Sequence, residues 1–269
     1  MTVYPGLIDM GPIGTLEVPA IPEPRTFRTR EELDRWWRAN ILRADVVASG
    51  HVKVDAPEMM KAAAAGITTV LATPGGEVIR GQSALVNVLP PEDDPQIGDL
   101  VGTRRGQIIV RTPVALHVTL SGQPGRLRPY PESLMGIIAF ARQSFLDAQY
   151  QAVVQAAYDK SKGGANRPAD DPALTAMRPA LAGRQPVAFE AQLAREIRRA
   201  LTFAAEFKLD PIITGGREAG ATAADLKAQN AKVILSLDYP ARPRGLAPDA
   251  ECPVWPFVYR KFEYRKQMP

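Results

Sequence analysis

Only two histidines, His51 and His117, stand beside 29 acidic side chains and a single cysteine, Cys252. A catalytic zinc usually takes several imidazoles, and these two sit far apart in different contexts. His51 follows Gly50 in an expected loop and reads as a surface residue. His117 lies in the apolar run Val114–Leu120, where it alternates with Leu116 and Val118 and so faces away from them. It can therefore point into a barrel, with a hydrogen-bonded core histidine as the weightier alternative. No Cys-x-x-Cys, His-x-His or His-Glu-x-x-His occurs, which argues against metal-assisted hydrolysis with imidazole ligands. A phosphate-loop pattern is absent too. Gly75-Gly76 and Gly215-Gly216 are too short for a dinucleotide fingerprint and read as turns. No Gly-x-Ser-x-Gly elbow exists, and Ser83 has no neighbouring base.

The elements that must carry these side chains alternate strand and helix. Val3–Asp9 reads as a short strand broken by Pro5-Gly6. Helical spacing covers Glu31–Leu42, with Trp36, Trp37 and Ile41 available to one face, and Glu58–Ala65, ended by Gly66. Ile67–Ala72 is apolar and β-branched, as a strand buried on both faces would be, and Pro74-Gly75-Gly76 stops it. The stretch Ser83–Leu120 holds two or three further strands, at Ala84–Val88, Gln107–Val110 and Val114–Leu120. Glu132–Lys160 is the longest helical pattern, and Ser161–Asp171 is a polar loop. Then come a helix at Leu174–Leu181, a strand at Val187–Glu190 and an amphipathic helix at Ala191–Phe207 with Leu193, Ile197, Leu201 and Ala204 on one face. A strand at Pro211–Thr214, a helix at Ala223–Gln229 and a strand at Lys232–Leu237 complete the series. Short βα units argue for a parallel sheet with crossover helices. An open doubly wound sheet and a (β/α)8 barrel both satisfy that pattern.

Composition narrows the class. The chain has 269 residues, 45% hydrophobic and 23% charged, with a formal net charge of +4, ordinary for a globular protein. Bases and acids are interleaved, so the excess reads as solvated surface rather than a nucleic-acid face. The basic, aromatic tail from Tyr259 to Lys266 is the one segment that could hold an anion or nucleic acid. No apolar run approaches the length of a membrane span. The N-terminus lacks the basic and apolar regions of a signal peptide, which fits a cytoplasmic protein, or a periplasmic one whose N-terminus is truncated.

Several stretches in order resemble the amidohydrolase superfamily, in its imidazolonepropionase-like branch. Pro5-Gly6-Leu7-Ile8-Asp9 resembles the end of that family's first barrel strand, Pro-Gly-hydrophobic-hydrophobic-Asp-x-His-x-His. Ala65-Gly66-Ile67-Thr68-Thr69-Val70-Leu71 followed by Gly81-Gln82-Ser83-Ala84-Leu85 is similar to a second stretch. Pro186-Val187-Ala188-Phe189, the Ala194–Phe207 helix, Pro211-Ile212-Ile213-Thr214-Gly215-Gly216-Arg217-Glu218-Ala219, Ala223–Lys227 and Val233-Ile234-Leu235 are similar to a third. The resemblance implies a (β/α)8 barrel with its site at the carboxyl ends of the strands. It places the whole chain, 1–269, in one α/β domain: an incomplete TIM-like barrel lacking the family's flanking β-sandwich, with an irregular tail at 239–269 and apparent truncation at both ends.

The departures bear on function. Where the family has His-x-His this chain has Gly11-Pro12-Ile13. Strand-end histidines are replaced by Glu190 and Gly215, and the bridging acid or lysine by Ser121-Gly122-Gln123. These changes predict a degenerate metal site and no bound cofactor, whereas the family carries a divalent ion, zinc or iron. If the chain is an enzyme, the resemblance implies a hydrolase of carbon–nitrogen bonds. Glu190 at the barrel mouth and the strand-end Asp9 are then the acid/base candidates. Arg217 as an anion clamp, His117 and Asp238 are the substrate-binding candidates. A structural Glu190 paired with an arginine is the competing reading. The alternative function is a pseudoenzyme, a non-catalytic barrel that binds a small ligand, forms a homo-oligomer or partners an intact homologue, with neither nucleic acid nor membrane as partner.

Overall fold

The computed structural model describes residues 5–11, 16–53, 57–88, 108–121, 130–161 and 167–236, and those through Leu235 form one compact unit. The expected irregular tail at 239–269 lies outside the described residues. The strands are β1 (Leu7–Asp9), β2 (Ile67–Ala72), β3 (Ile79–Gln82), β4 (Ala84–Asn87), β5 (Ile109–Arg111), β6 (Leu116–Thr119), β7 (Val187–Ala191), β8 (Pro211–Gly215) and β9 (Lys232–Leu235). The helices are α1 (Arg30–Ile41), α2 (Pro57–Ala64), α3 (Leu134–Lys160), α4 (Pro172–Leu181), α5 (Ala194–Phe207) and α6 (Ala223–Ala228).

Mixed α/β architecture is what the pattern predicts, but the described strands do not close into a barrel. They form two sheets, ordered β1-β2-β4-β5 and β3-β6-β7-β8-β9. In the second sheet β6 to β9 are all parallel, as crossover helices require. The antiparallel pairs β2–β4, β4–β5 and β3–β6 interrupt the regular βα alternation. For β2–β4 the connection is short: residues 73–83 alone separate the two strands, too few for a helical crossover.

Three connections cross between the sheets, the first through residues 73–78 from β2 to β3. β3 runs into β4 through Ser83, leaving the second sheet for the first. β5 returns to β6 through Thr112–Ala115. These last two crossings are bonded to each other, Ser83 N–H donating to Ala115 O at 3.0 Å and Val114 N–H to Ser83 O at 2.8 Å.

β3 is not evident from the sequence, because Arg80 and Gly81 break its apolar run and an interior glycine signals a bulge. The register of β3 on β6 does shift between Ile79 and Gly81. Gly81 has φ +122°, and a Cβ there would stand 2.5 Å from the Val46 carbonyl oxygen. β2 differs from expectation as well: Val70, Leu71 and Ala72 are buried but Ile67–Thr69 are not. Its neighbour β1 lies at the sheet edge with Leu7 and Ile8 63% and 62% exposed.

Helices α3, α4 and α5 pack on one face of the second sheet. Leu116 and Val118 of β6, Val187 and Phe189 of β7 and Ile213 of β8 face them. Phe145 of α3 meets Phe203 and Phe207 of α5 at ring-centroid distances of 5.3 and 5.2 Å. Each such ring contributes roughly 1.5–3 kcal/mol by leaving water. On α5, Ile197, Leu201 and Ala204 are buried as the periodicity predicts. Its end is fixed by Lys208 at φ 55°, whose N–H reaches back to the last turn. Among the described residues no helix is long and apolar enough to cross a membrane.

Candidate functional site

Strand alternation sends Leu116 and Val118 to the helices and leaves His117 and Thr119 on the opposite face. In register, Thr119 lies beside Glu190 and Glu190 beside Thr214, so these residues share the carboxyl end of the parallel strands. The shift in β3 brings Arg80 to the same place. A bulge re-aims a side chain in this way, and the guanidinium meets Glu190, Nη2 to Oε2, at 2.6 Å. The pair borders a cavity of about 250 Å³, which Thr119, Ser121, Trp37 and Ile137 also line.

The polar groups here are unevenly satisfied. Arg80 Nε, Thr119 Oγ1 and His117 Nε2 are buried without a hydrogen-bond partner among the described residues. Burial, with the Arg80 charge beside it, pushes the His117 imidazole down to about 4. The ring is thus neutral at neutral pH. Glu190 keeps 44% of its side chain exposed and Arg80 24%.

Of the residues singled out from sequence, Glu190 and His117 come together around Arg80, and Glu190 is arginine-paired. Asp9 ends β1 in the other sheet, and its Oδ1 accepts the Gly11 N–H at 2.8 Å. Arg217 is exposed in the turn after β8 and is not among the residues lining the cavity. Asp238, Gly122 and Gln123 lie outside the described residues. Ser83 is buried, with its hydroxyl 3.4 Å from Ala115 O, a structural role. Gln82 bonds Ala44 O and receives a bond from Gln185, both at 2.9 Å. The Gly81-Gln82-Ser83 motif therefore builds the seam between sheets. Sequence reasoning missed Arg80 and Thr119. The available signal was that Arg80 is the one charged residue in Val78–Val88.

The divalent ion implied by the resemblance does not fit this donor set. Among the described residues no three His, Cys, Asp or Glu side chains gather as ligands. The Glu190 carboxylate already faces a cation. At Gly215, φ is +97°, a backbone conformation that strains any residue with a side chain, a ligating one included.

No family model matches the chain, and no curated protein matches it. Among solved structures, the crystal structure of an amidohydrolase from Thermotoga maritima MSB8 aligns with a TM-score of 0.66 at 19% identity. The alignment covers 90% of this chain and 59% of that one, so the chain spans about three fifths of the protein it matches. With the parallel β6–β9 array and its strand-end cavity, this likeness gives the chain an amidohydrolase-like fold.

Proposed function

We propose that this chain is an amidohydrolase-type domain of the imidazolonepropionase-like branch whose strand-end cavity binds a small polar ligand without a metal. On this reading β6 to β9 are an arc of a (β/α)8 barrel. The observation that carries it is the Arg80–Glu190 ion pair at the cavity wall. The guanidinium already neutralises Glu190, which leaves that carboxylate a weaker donor for a divalent cation. The purified full chain tests this. Zinc, iron and manganese are expected well below stoichiometry, and a bound ligand is expected to raise the melting temperature. Stoichiometric metal after exhaustive dialysis would overturn the reading.

A hydrolase of carbon–nitrogen bonds is the second reading, favoured by the half-exposed Glu190 carboxylate at the cavity. Glu190 would then act as the general acid/base. Turnover of amide and cyclic-amide substrates, abolished in Glu190→Gln, would establish it; equal rates in the two proteins would remove it. Pairing with an intact amidohydrolase is favoured by one surface feature. Met135, Leu146, Tyr150 and Val153 are exposed apolar residues of α3, the last three at the four- and three-residue spacing of a helix face and Met135 three turns before Leu146. A monomer in sedimentation, alone and with such a homologue, would argue against it.

A further inference from the structure

Beyond the Arg80–Glu190 pair the cavity wall is acidic. Glu77, just before β3, and Glu132, just before α3, line it as well. Both residues are exposed, and Glu190 keeps 44% of its side chain open. Solvent, and therefore a ligand, can reach all three. Three carboxylates against one guanidinium leave a formal charge of −2 on the described lining.

Charge and its spread decide what fits. An anion would meet three carboxylates and a guanidinium that is already paired. A neutral ligand would strip water from the carboxylates without replacing it by charge. An ammonium carries three donors and no acceptor, against carboxylates that only accept. Arg80 repels a cation at Glu190, and Glu77 in the same lining offsets that repulsion. A metal ion is the compact alternative, but among the described residues no three acidic or imidazole side chains gather as its ligands. The carboxylates are distributed around the cavity instead. Two charges held apart on one molecule match that distribution, and two charges on a single ion do not. Trp37, Pro131 and Ile137 give the same cavity apolar wall, against which a hydrocarbon chain can leave water. The volume, about 250 Å³, lies below the roughly 300–1,000 Å³ of sites for drug-sized ligands, so the chain must be short.

Resting on the small-ligand reading above, we propose that this cavity is a binding site for a short aliphatic diamine in its doubly protonated form. One ammonium group donates to Glu132. The other donates to Glu190, which the guanidinium meets through Oε2 and which keeps further acceptor capacity. The hydrocarbon between them lies on the apolar wall.

Calorimetric titration of the full chain with putrescine tests it, against n-butylamine, n-butanol, succinate and magnesium. Putrescine is expected to bind most tightly, with a roughly millimolar or tighter Kd, and to weaken several-fold as sodium chloride is raised. Glu132→Gln should weaken it roughly threefold, the loss of one partly screened ion pair. The melting temperature of the free protein should not change in that variant, because the residue is exposed. Preference for n-butanol or succinate would defeat the diamine assignment and leave the small-ligand reading standing. Equal affinity for n-butylamine would remove the second cationic centre and overturn the assignment in the same way. Magnesium bound in preference to putrescine would defeat both the assignment and the metal-free reading, as would response to none of the five. Unchanged putrescine affinity in Glu132→Gln would place the ligand elsewhere and overturn the site.

Discussion

His117 shows what burial without a partner does to one residue. Its imidazole titrates near 4 in the fold instead of near 6.5. Between those values the unfolded chain takes up a proton that the native state refuses. The contribution to stability is therefore complete above about pH 6.5, declines as pH falls, and is gone below about pH 4. By pH 5 the loss is roughly 2 kcal/mol. Urea unfolding at pH 7 and pH 5 checks this: His117→Asn should lose less stability on acidification than the parent, and equal losses would refute it. Arg80 and Glu190 make a second case. Arg80→Met strands a half-buried carboxylate and should cost about 1–2 kcal/mol, less than a fully buried pair would. Arg80→Met/Glu190→Gln should recover most of that, so a double-mutant cycle ought to show coupling. Additive losses would mean the pair is held by its surroundings.

Among elements, those with a clean period were legible. α1 and α5 lie within a few residues of where apolar spacing puts them, because each offers one face to a core, and β2 lies where its unbroken β-branched run does. β3 was not, and the cause is chemical. Arg80 and Gly81 look like an interruption, whereas in the fold they are the element's purpose: the glycine permits close approach to Val46 and the shift turns the arginine to the cavity. Gly81→Ala must relieve a contact with backbone at an unfavourable φ, and should destabilise by roughly 3 kcal/mol. A denaturation midpoint within error of the parent would show that the strand yields instead. α3 resisted a face assignment because it is apolar on both sides: Phe140 and Phe145 are in the core while Met135 is 81% exposed. The site was half legible by the same logic. Alternation places His117 and Glu190 on the inner face, but nothing local says that a residue from β3 will meet them.

At the scale of the molecule, strand order was the least legible feature, since pairing joins residues distant in the chain. The parallel β6–β9 array follows from its helices, whereas the division into two sheets depends on where the chain crosses over. Two of those crossings, at Ser83 and at Val114–Ala115, are bonded to one another and so act like a pair of stitches through both layers. Neither layer can then peel away without tearing the thread that holds its neighbour. Heating or denaturant should accordingly melt residues through Leu235 in a single step. Amide exchange at Val70 in one layer and Phe189 in the other should slow to the same limiting free energy. Two separate limits would mean that the stitches slip.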